Sequence, residues 1–288
     1  MTDLFRALGA VCEPPEPRHE ALARALGLPP PPDPSAYTGC FLFQLYPFAS
    51  VHVGAEGMLG GEARDRVAGF WRALGLVPPP EPDHLPALLA LYAELADHEA
   101  AEGNEARRLA LRDARRALLW EHLVSWLPPY LDRVRELAHA HYQAWAALLR
   151  EALSEEVRAL GALPRLPLHL REAPPPPRAD ATTTLDEILT AVLAPVRSGM
   201  ILVRADMKRA GRDLGFGTRA GERRFMLEGL VKADPKGTFR WLEAEARRTA
   251  ARHRLGDGTL ITAYWAERAE ASCQCLATIA DVVASSAA

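Results

Sequence analysis

Apolar residues recur along most of the chain at spacings of three and four positions, which places them on one face of an α-helix. Two runs of β-branched residues, 51–53 and 201–203, are too short to form a sheet on their own. The pattern therefore predicts an all-α protein. The five clearest apolar sets are Leu85, Leu88, Leu89, Tyr92 and Leu95; Leu119, His122, Leu123 and Trp126; Leu137, His141, Trp145, Leu149 and Leu153; Leu185, Ile188, Leu189, Val192 and Val196; and Leu260, Ile261, Tyr264, Trp265, Leu276 and Ile279.

Prolines divide this helical pattern into segments. The longest proline-rich stretch covers residues 164–178 and includes four consecutive prolines at 174–177. Because proline fixes φ and lacks an N–H donor, we expect this stretch to be an extended, semi-rigid connector. The sequence thus predicts a first domain at residues 1–163, a proline-rich linker at 164–179 and a C-terminal helical unit at 180–288.

Three helix starts can be predicted from capping residues. Thr184 or Thr183 precedes an apolar helical set, and Asp234 is followed by Pro235, a residue tolerated in the first turn. Asp83 is a suitable N-cap for the helix that begins near Leu85.

Composition and charge change this picture little. Hydrophobic residues make up 49 % of the chain, charged residues 25 %, and the net charge is −3. This balance gives no reason to expect nucleic acid or anionic lipid as a partner. The chain shows no export signal and no apolar run long enough to span a membrane, so we expect a cytoplasmic protein without stable membrane insertion. Three lysines and a single asparagine, with abundant proline, are typical of a thermophile.

Candidate catalytic and metal-binding residues are sparse. Cys273 and Cys275 lack a second ligand cluster, so we predict no metal site. Glu136 and His139 have the Glu-x-x-His spacing of di-iron bundles, but no second such pair is well placed on a facing helix. No phosphate-binding glycine loop or nucleophile elbow occurs. We therefore expect neither a catalytic residue nor a cofactor, and a di-metal enzyme is a minor alternative.

The most informative stretch is Glu-Pro-Asp-His at residues 81–84, which is followed by an apolar helix. This string resembles the signature of the TorD/DmsD/NarJ redox-enzyme maturation chaperones. Several other stretches resemble the same family in the same chain order, over about residues 40–155. They are LYPFASV at 45–51, MLGG at 58–61, FWRALG at 70–75, EHLVSWLP at 121–128 and HYQAW at 141–145.

The resemblance implies a TorD-like helical bundle that is not an enzyme. It also implies a partner, the twin-arginine signal peptide and apo form of a molybdopterin-dependent oxidoreductase subunit. Carried over by motif position, Asp83 and His84 belong to the peptide-recognition region. By the same comparison, the positions that line or support the groove are Tyr46, Trp71, His122 and Trp126, and Glu81 supplies negative charge for arginine recognition.

Other properties stay open at this stage. The sequence does not decide whether a guanine nucleotide or cofactor is contacted, or whether the protein is a monomer or a homodimer. Arginine-rich segments at 204–224 and 240–254 leave a helical regulatory or nucleic-acid-binding protein as the alternative. Acidic residues interleaved with these arginines favour a solvated, ion-paired face instead.

Overall fold

The computed structural model describes residues 2–180, 182–217, 219, 221–256 and 258–286, with the side chain of Ser286 excepted. Within these residues the backbone forms α-helices and two π-helical segments, and the only β-pairing is an isolated bridge between Phe48 and His84. The predicted all-α fold is confirmed.

The helices vary in length from one turn to more than seven. In chain order they are α1 Thr2–Ala10, α2 Arg18–Ala25, α3 Pro34–Tyr37, the π-helix π1 Thr38–Leu42, α4 Ala49–Val53, α5 Gly61–Ala73, α6 Leu85–Ala101, α7 Glu105–Ala117, the π-helix π2 Leu118–Leu123, α8 Leu127–Leu137, α9 Ala140–Leu160, α10 Leu168–Arg171, α11 Leu185–Leu193, α12 Pro195–Ser198, α13 Arg204–Asp213, α14 Arg223–Ala233, α15 Pro235–Arg254 and α16 Leu260–Ser286.

The described residues form two compact units. The first contains residues 2–50 and 59–171, and the second contains residues 51–58 and those from 172 onward. The segment predicted as an extended connector thus begins inside the first unit, where it forms the single turn α10. Leu170 in that turn is almost fully buried, and its burial offsets the poor helix propensity of the flanking prolines.

The first unit is built around α6. This helix packs against α1 and α7, while α8 packs against α9. Phe5 of α1 meets Tyr92 of α6 edge to face at 4.8 Å between ring centroids. On α9, the Trp145 indole is fully buried and donates from Nε1 to the Leu8 carbonyl oxygen at 2.9 Å. Burial of these aromatic rings provides much of the unit's apolar stabilisation.

The second unit has its own apolar core, to which the extensive contact between α15 and α16 contributes. Residues 51–58 belong to it because Gly57 lies against the backbone of Ala194: a Cβ at position 57 would come within 2.9 Å of the Ala194 Cα. Arg223 of α14 donates to the carbonyl oxygens of Leu202 and Gly57, at 2.9 and 3.3 Å. These contacts join a segment from early in the chain to helices from its end.

Two of the three predicted helix starts are confirmed. Thr184 caps α11 in a capping box with Glu187, and the Asp234 side chain accepts from the Gly237 N–H at the start of α15. The third prediction was wrong. The N-cap of α6 is His84, which makes no side-chain capping bond, and Asp83 is directed elsewhere.

Three of the predicted apolar sets cross helix boundaries. Leu119, His122 and Leu123 lie on the π-helix π2, where the Val124 N–H bonds to the Leu119 carbonyl oxygen at 2.9 Å. Leu137 ends α8, whereas the rest of its set lies on α9, and Val196 lies on α12 rather than α11. A spacing of three or four is preserved across a short break, so periodicity alone did not reveal these boundaries.

Candidate functional site

The Asp83 carboxylate caps a helix that lies far from it in sequence. Its Oδ2 accepts from the Ser50 N–H at 3.0 Å, in the first turn of α4, and its backbone oxygen accepts from the Ala49 N–H at 3.0 Å. The Leu85 N–H donates in turn to the Pro47 oxygen at 2.8 Å. Asp83 is 2 % exposed. The strings at 45–51 and 81–84 are therefore one structural element, held by three hydrogen bonds.

His84 lies at the edge of this element. Its ring stacks on Phe48, with 4.5 Å between centroids and 20° between planes, and the side chain is half-buried. Burial lowers the pKa of His84, and the nearby carboxylates of Glu81, Asp83 and Glu13 oppose that effect. A neutral imidazole held in this way can both donate and accept one hydrogen bond.

A second group forms around His122 on π2. Its ring meets Phe70 of α5 at 5.1 Å and His169 of α10 at 5.5 Å, both edge to face. Glu121 beside it accepts from the Leu168 N–H, which ties α10 to π2. Burial, reinforced by the neighbouring His169, lowers the pKa of His122 to about 3. His122 is consequently neutral at physiological pH.

Two polar atoms of this region are buried without a hydrogen-bond partner among the described residues. They are the Trp71 Nε1, on the helix that also carries Phe70, and the His122 Nδ1. Leaving a buried polar group unpaired costs about 1–3 kcal/mol. Such groups are uncommon in folded proteins and call for a specific explanation, such as a bound partner.

The other predicted site residues differ in accessibility. Tyr46 is half-buried and Glu81 is exposed, so both can meet a ligand at the surface. Trp126 is fully buried, and its Nε1 donates to the His122 carbonyl oxygen at 2.8 Å. It therefore supports π2 from inside the core and does not present a surface for a peptide.

The predicted residues thus fall into two groups, one around Asp83 and His84 and one around Trp71 and His122. Sequence reasoning quoted Phe48 and Phe70 only as parts of matching strings, although both form the ring contacts. It missed His169, which lies in the segment interpreted as a linker. No local signal marks this histidine, since its partner His122 is 47 positions away.

The residues that suggested a di-metal enzyme or a nucleic-acid-binding protein mostly have partners within the fold. Glu136 pairs with Arg133, and the His139 side chain caps α9. Within the described part of the chain, no group of three or more His, Cys, Asp or Glu could hold a metal ion. Most arginines of α13–α15 that were considered for phosphate binding pair with carboxylates. These pairs include Arg209 with Asp206 and Glu245, Arg240 and Arg247 with Glu243, and Arg248 with Glu245.

The described helices also lack a membrane span: none combines the length and the apolar character that crossing a bilayer requires.

Comparison with known proteins adds a family assignment for part of the chain. Residues 35–132 match the model of the family described as nitrate reductase delta subunit. This segment contains all the predicted site residues but not His169, and it is about a third of the chain. No curated protein matches the chain. Over residues 35–132 the chain is therefore similar to the NarJ/TorD chaperone family.

Proposed function

We propose that this protein is a cytoplasmic chaperone that binds the twin-arginine signal peptide and the apo form of a molybdopterin oxidoreductase subunit. It holds the subunit until cofactor is inserted and then permits export. The observation that carries this proposal is the pair of unpartnered buried atoms, the Trp71 Nε1 and the His122 Nδ1, within the segment that matches the family. A bound peptide supplies backbone carbonyl and N–H groups for such atoms.

In this proposal the two groups of residues have different roles. Trp71 contacts the peptide, with its indole ring against an apolar side chain and its N–H toward a backbone carbonyl. His122 offers its Nδ1 to the same segment. Tyr46 and His84 add half-buried rings, and the exposed Glu81 attracts the arginine pair.

Asp83 and Trp126 are positioning residues in this proposal. Asp83 holds α4 and the 45–51 string in place, and Trp126 holds π2. We also keep the predicted organisation as part of the proposal: a chaperone domain at 1–163, a linker at 164–179 and a C-terminal helical unit at 180–288.

Calorimetric titration with a twin-arginine signal peptide tests the proposal. We expect saturable binding by the wild-type protein and about tenfold weaker binding by Trp71→Phe, since one charge-neutral hydrogen bond in a desolvated site contributes about 1–1.5 kcal/mol. The phenylalanine keeps an apolar ring and removes only the N–H donor and the second ring of the indole. Trp71→Phe should fold normally, because it also removes an unpaired buried donor.

Trp241→Phe is the matched control. The Trp241 Nε1 already donates to Asp213 at 2.9 Å, in the second unit. We expect this variant to bind the peptide as the wild type does. Absence of saturable peptide binding, or equal affinities of the two variants, contradicts the proposed function.

A further inference from the structure

A cavity of about 470 Å³ opens in the first unit, and its lining contains none of the candidate site residues. Its floor is formed by Phe5 and Tyr92, both almost fully buried. Small apolar residues, Ala96, Ala100 and Ala159, contribute to its walls. This volume is in the range of small-molecule sites in proteins.

Charged side chains line the same cavity. Glu156 is 3 % exposed, and its Oε2 accepts from the Tyr92 hydroxyl and from the Arg115 Nη1, the latter at 3.0 Å. On the other side, the Glu99 Oε2 lies 2.9 Å from the Arg115 Nε. The N–H of Arg115 does not point along that line, so both atoms are buried without a hydrogen bond.

The balance of charge in the cavity is negative. Three carboxylates line it, those of Glu99, Glu102 and Glu156, against the two guanidinium groups of Arg108 and Arg115. Outside the lining, the Arg112 guanidinium lies 3.8 Å from Glu99. Arg108 is paired with Glu105 outside the cavity. Since a carboxylate accepts up to about four hydrogen bonds, Glu99 and Glu156 retain capacity for further donors.

We propose that this cavity binds a cationic donor group on an aliphatic stem, either a guanidinium or an alkylammonium. The head group donates to Glu99 and Glu156, and the stem lies against Phe5, Ala96 and Ala159. An anion is repelled by the excess of carboxylates, and a purely apolar ligand leaves the Glu99 Oε2 without a hydrogen bond. The cavity shares no residue with the proposed peptide site, so the inference is independent of it.

The probe that tests this inference is n-butylguanidinium, compared with n-butylurea, which has nearly the same shape and no charge. Ligand-detected NMR titration of the full-length protein measures both, because ligands of this size bind weakly. We expect saturable binding of n-butylguanidinium and at least tenfold weaker binding of n-butylurea. Equal binding of the two probes, or no binding of either, overturns the proposal.

Variants then locate the site. Glu99→Gln removes the negative charge of the carboxylate whose Oε2 lacks a hydrogen bond. Ala96→Leu fills part of the cavity without changing any charge. Both should weaken n-butylguanidinium binding at least tenfold. Glu105→Gln is the matched control, because this carboxylate is exposed and lies outside the cavity lining, and it should bind the probe within twofold of the wild type. Unchanged binding by both Glu99→Gln and Ala96→Leu contradicts the assignment.

The cationic group can come from two sources, an arginine side chain of a bound peptide or a free amine. Binding measurements with an Arg-Arg peptide and its Gln-Gln counterpart distinguish them. If Glu99→Gln weakens an Arg-Arg peptide and not its Gln-Gln counterpart, the ligand is a peptide arginine. If it weakens only n-butylguanidinium, the ligand is a free amine. Either result supports the cavity, and neither depends on the Trp71→Phe comparison that tests the proposed function.

Discussion

The Asp83 carboxylate accepts the Ser50 N–H of α4, although Asp83 stands directly before α6 in sequence. Its residue type is suited to capping, and the sequence predicted a cap here. The tertiary fold determines that Asp83 caps α4 and not α6. Asp83, at the centre of the family motif, thus has a hydrogen-bond partner within the fold. This contact favours a role in positioning α4 over direct contact with a client.

Substitution of Asp83 can distinguish these two roles. Asp83→Ala removes the cap and leaves the Ser50 N–H unpaired, so we expect the free energy of unfolding to fall by about 1–2 kcal/mol in urea denaturation. Asp83→Asn keeps an acceptor oxygen, because asparagine caps helices about as well as aspartate.

We therefore expect Asp83→Asn to retain most of the stability and to bind the signal peptide within about threefold of the wild type. If Asp83 instead forms a direct ion pair with a peptide arginine, Asp83→Asn is equally stable but binds the signal peptide at least tenfold more weakly than the wild type. Calorimetry on the two variants separates the alternatives.

At the scale of helices, α12 and α16 approach each other unusually closely at Gly199. This residue has φ +72° and ends α12, and a Cβ there would lie 2.3 Å from the Ala269 nitrogen and 2.7 Å from the Trp265 oxygen. Ser272 of α16 donates to the Ser198 carbonyl oxygen at 2.8 Å. Both the left-handed conformation and the backbone contact require glycine here.

Gly199→Ala should consequently destabilise the protein by about 3 kcal/mol or more, through backbone strain and displacement of α16. Gly229 on α14 is the control, since a Cβ added there meets no atom within 4 Å. Gly229→Ala should leave stability unchanged or raise it by up to about 1 kcal/mol. Urea denaturation of both variants checks the prediction, which fails if the two have equal midpoints.

The π-helix π2 shows a limit of pattern analysis at the same scale. Leu119, His122 and Leu123 are all buried, as their spacing predicted, yet the hydrogen bond from Val124 to Leu119 spans five residues instead of four. Such turns are frequent at functional sites. Here the extra residue places His122 beside Phe70 and His169, an arrangement that apolar spacing does not encode.

At the scale of the whole molecule, the stability of the fold depends on pH through buried histidines. The folded protein holds the pKa of His122 at about 3, whereas an unfolded chain has a histidine pKa near 6.5. Between these values the unfolded state binds more protons. His122 therefore leaves the fold unperturbed above about pH 6.5 and destabilises it progressively as the pH falls toward 3.

We expect the free energy of unfolding to decrease between pH 6.5 and 4.5, with a contribution from His122 of at most about 1.4 kcal/mol per pH unit. Burial also lowers the pKa of His84 and His141, and both contribute to the same pH dependence. The difference in slope between the wild type and a His122→Phe variant therefore isolates the contribution of His122. Urea denaturation at several pH values measures it. The exposed His98 provides the control: His98→Gln should keep the wild-type slope, and an unchanged slope in His122→Phe contradicts the assignment.

The sequence by itself determined the properties that depend on neighbours three or four residues apart. These are the helical class, the positions of several helices such as α6 and α16, the helix starts at Thr184 and Asp234, and the order of motifs that resembles the chaperone family. Because helix periodicity and capping involve residues close together in the chain, they can be predicted from the sequence without knowledge of the fold.

The tertiary structure alone decided which distant residues meet. It directed Asp83 to α4, joined His122 to His169, and placed Glu99 and Glu156 around one arginine. It also assigned residues 51–58 to the second unit, where Gly57 lies against Ala194. These contacts join positions from 16 to 137 residues apart. They arise from the joint burial of apolar surface and pairing of polar groups, which no local pattern specifies.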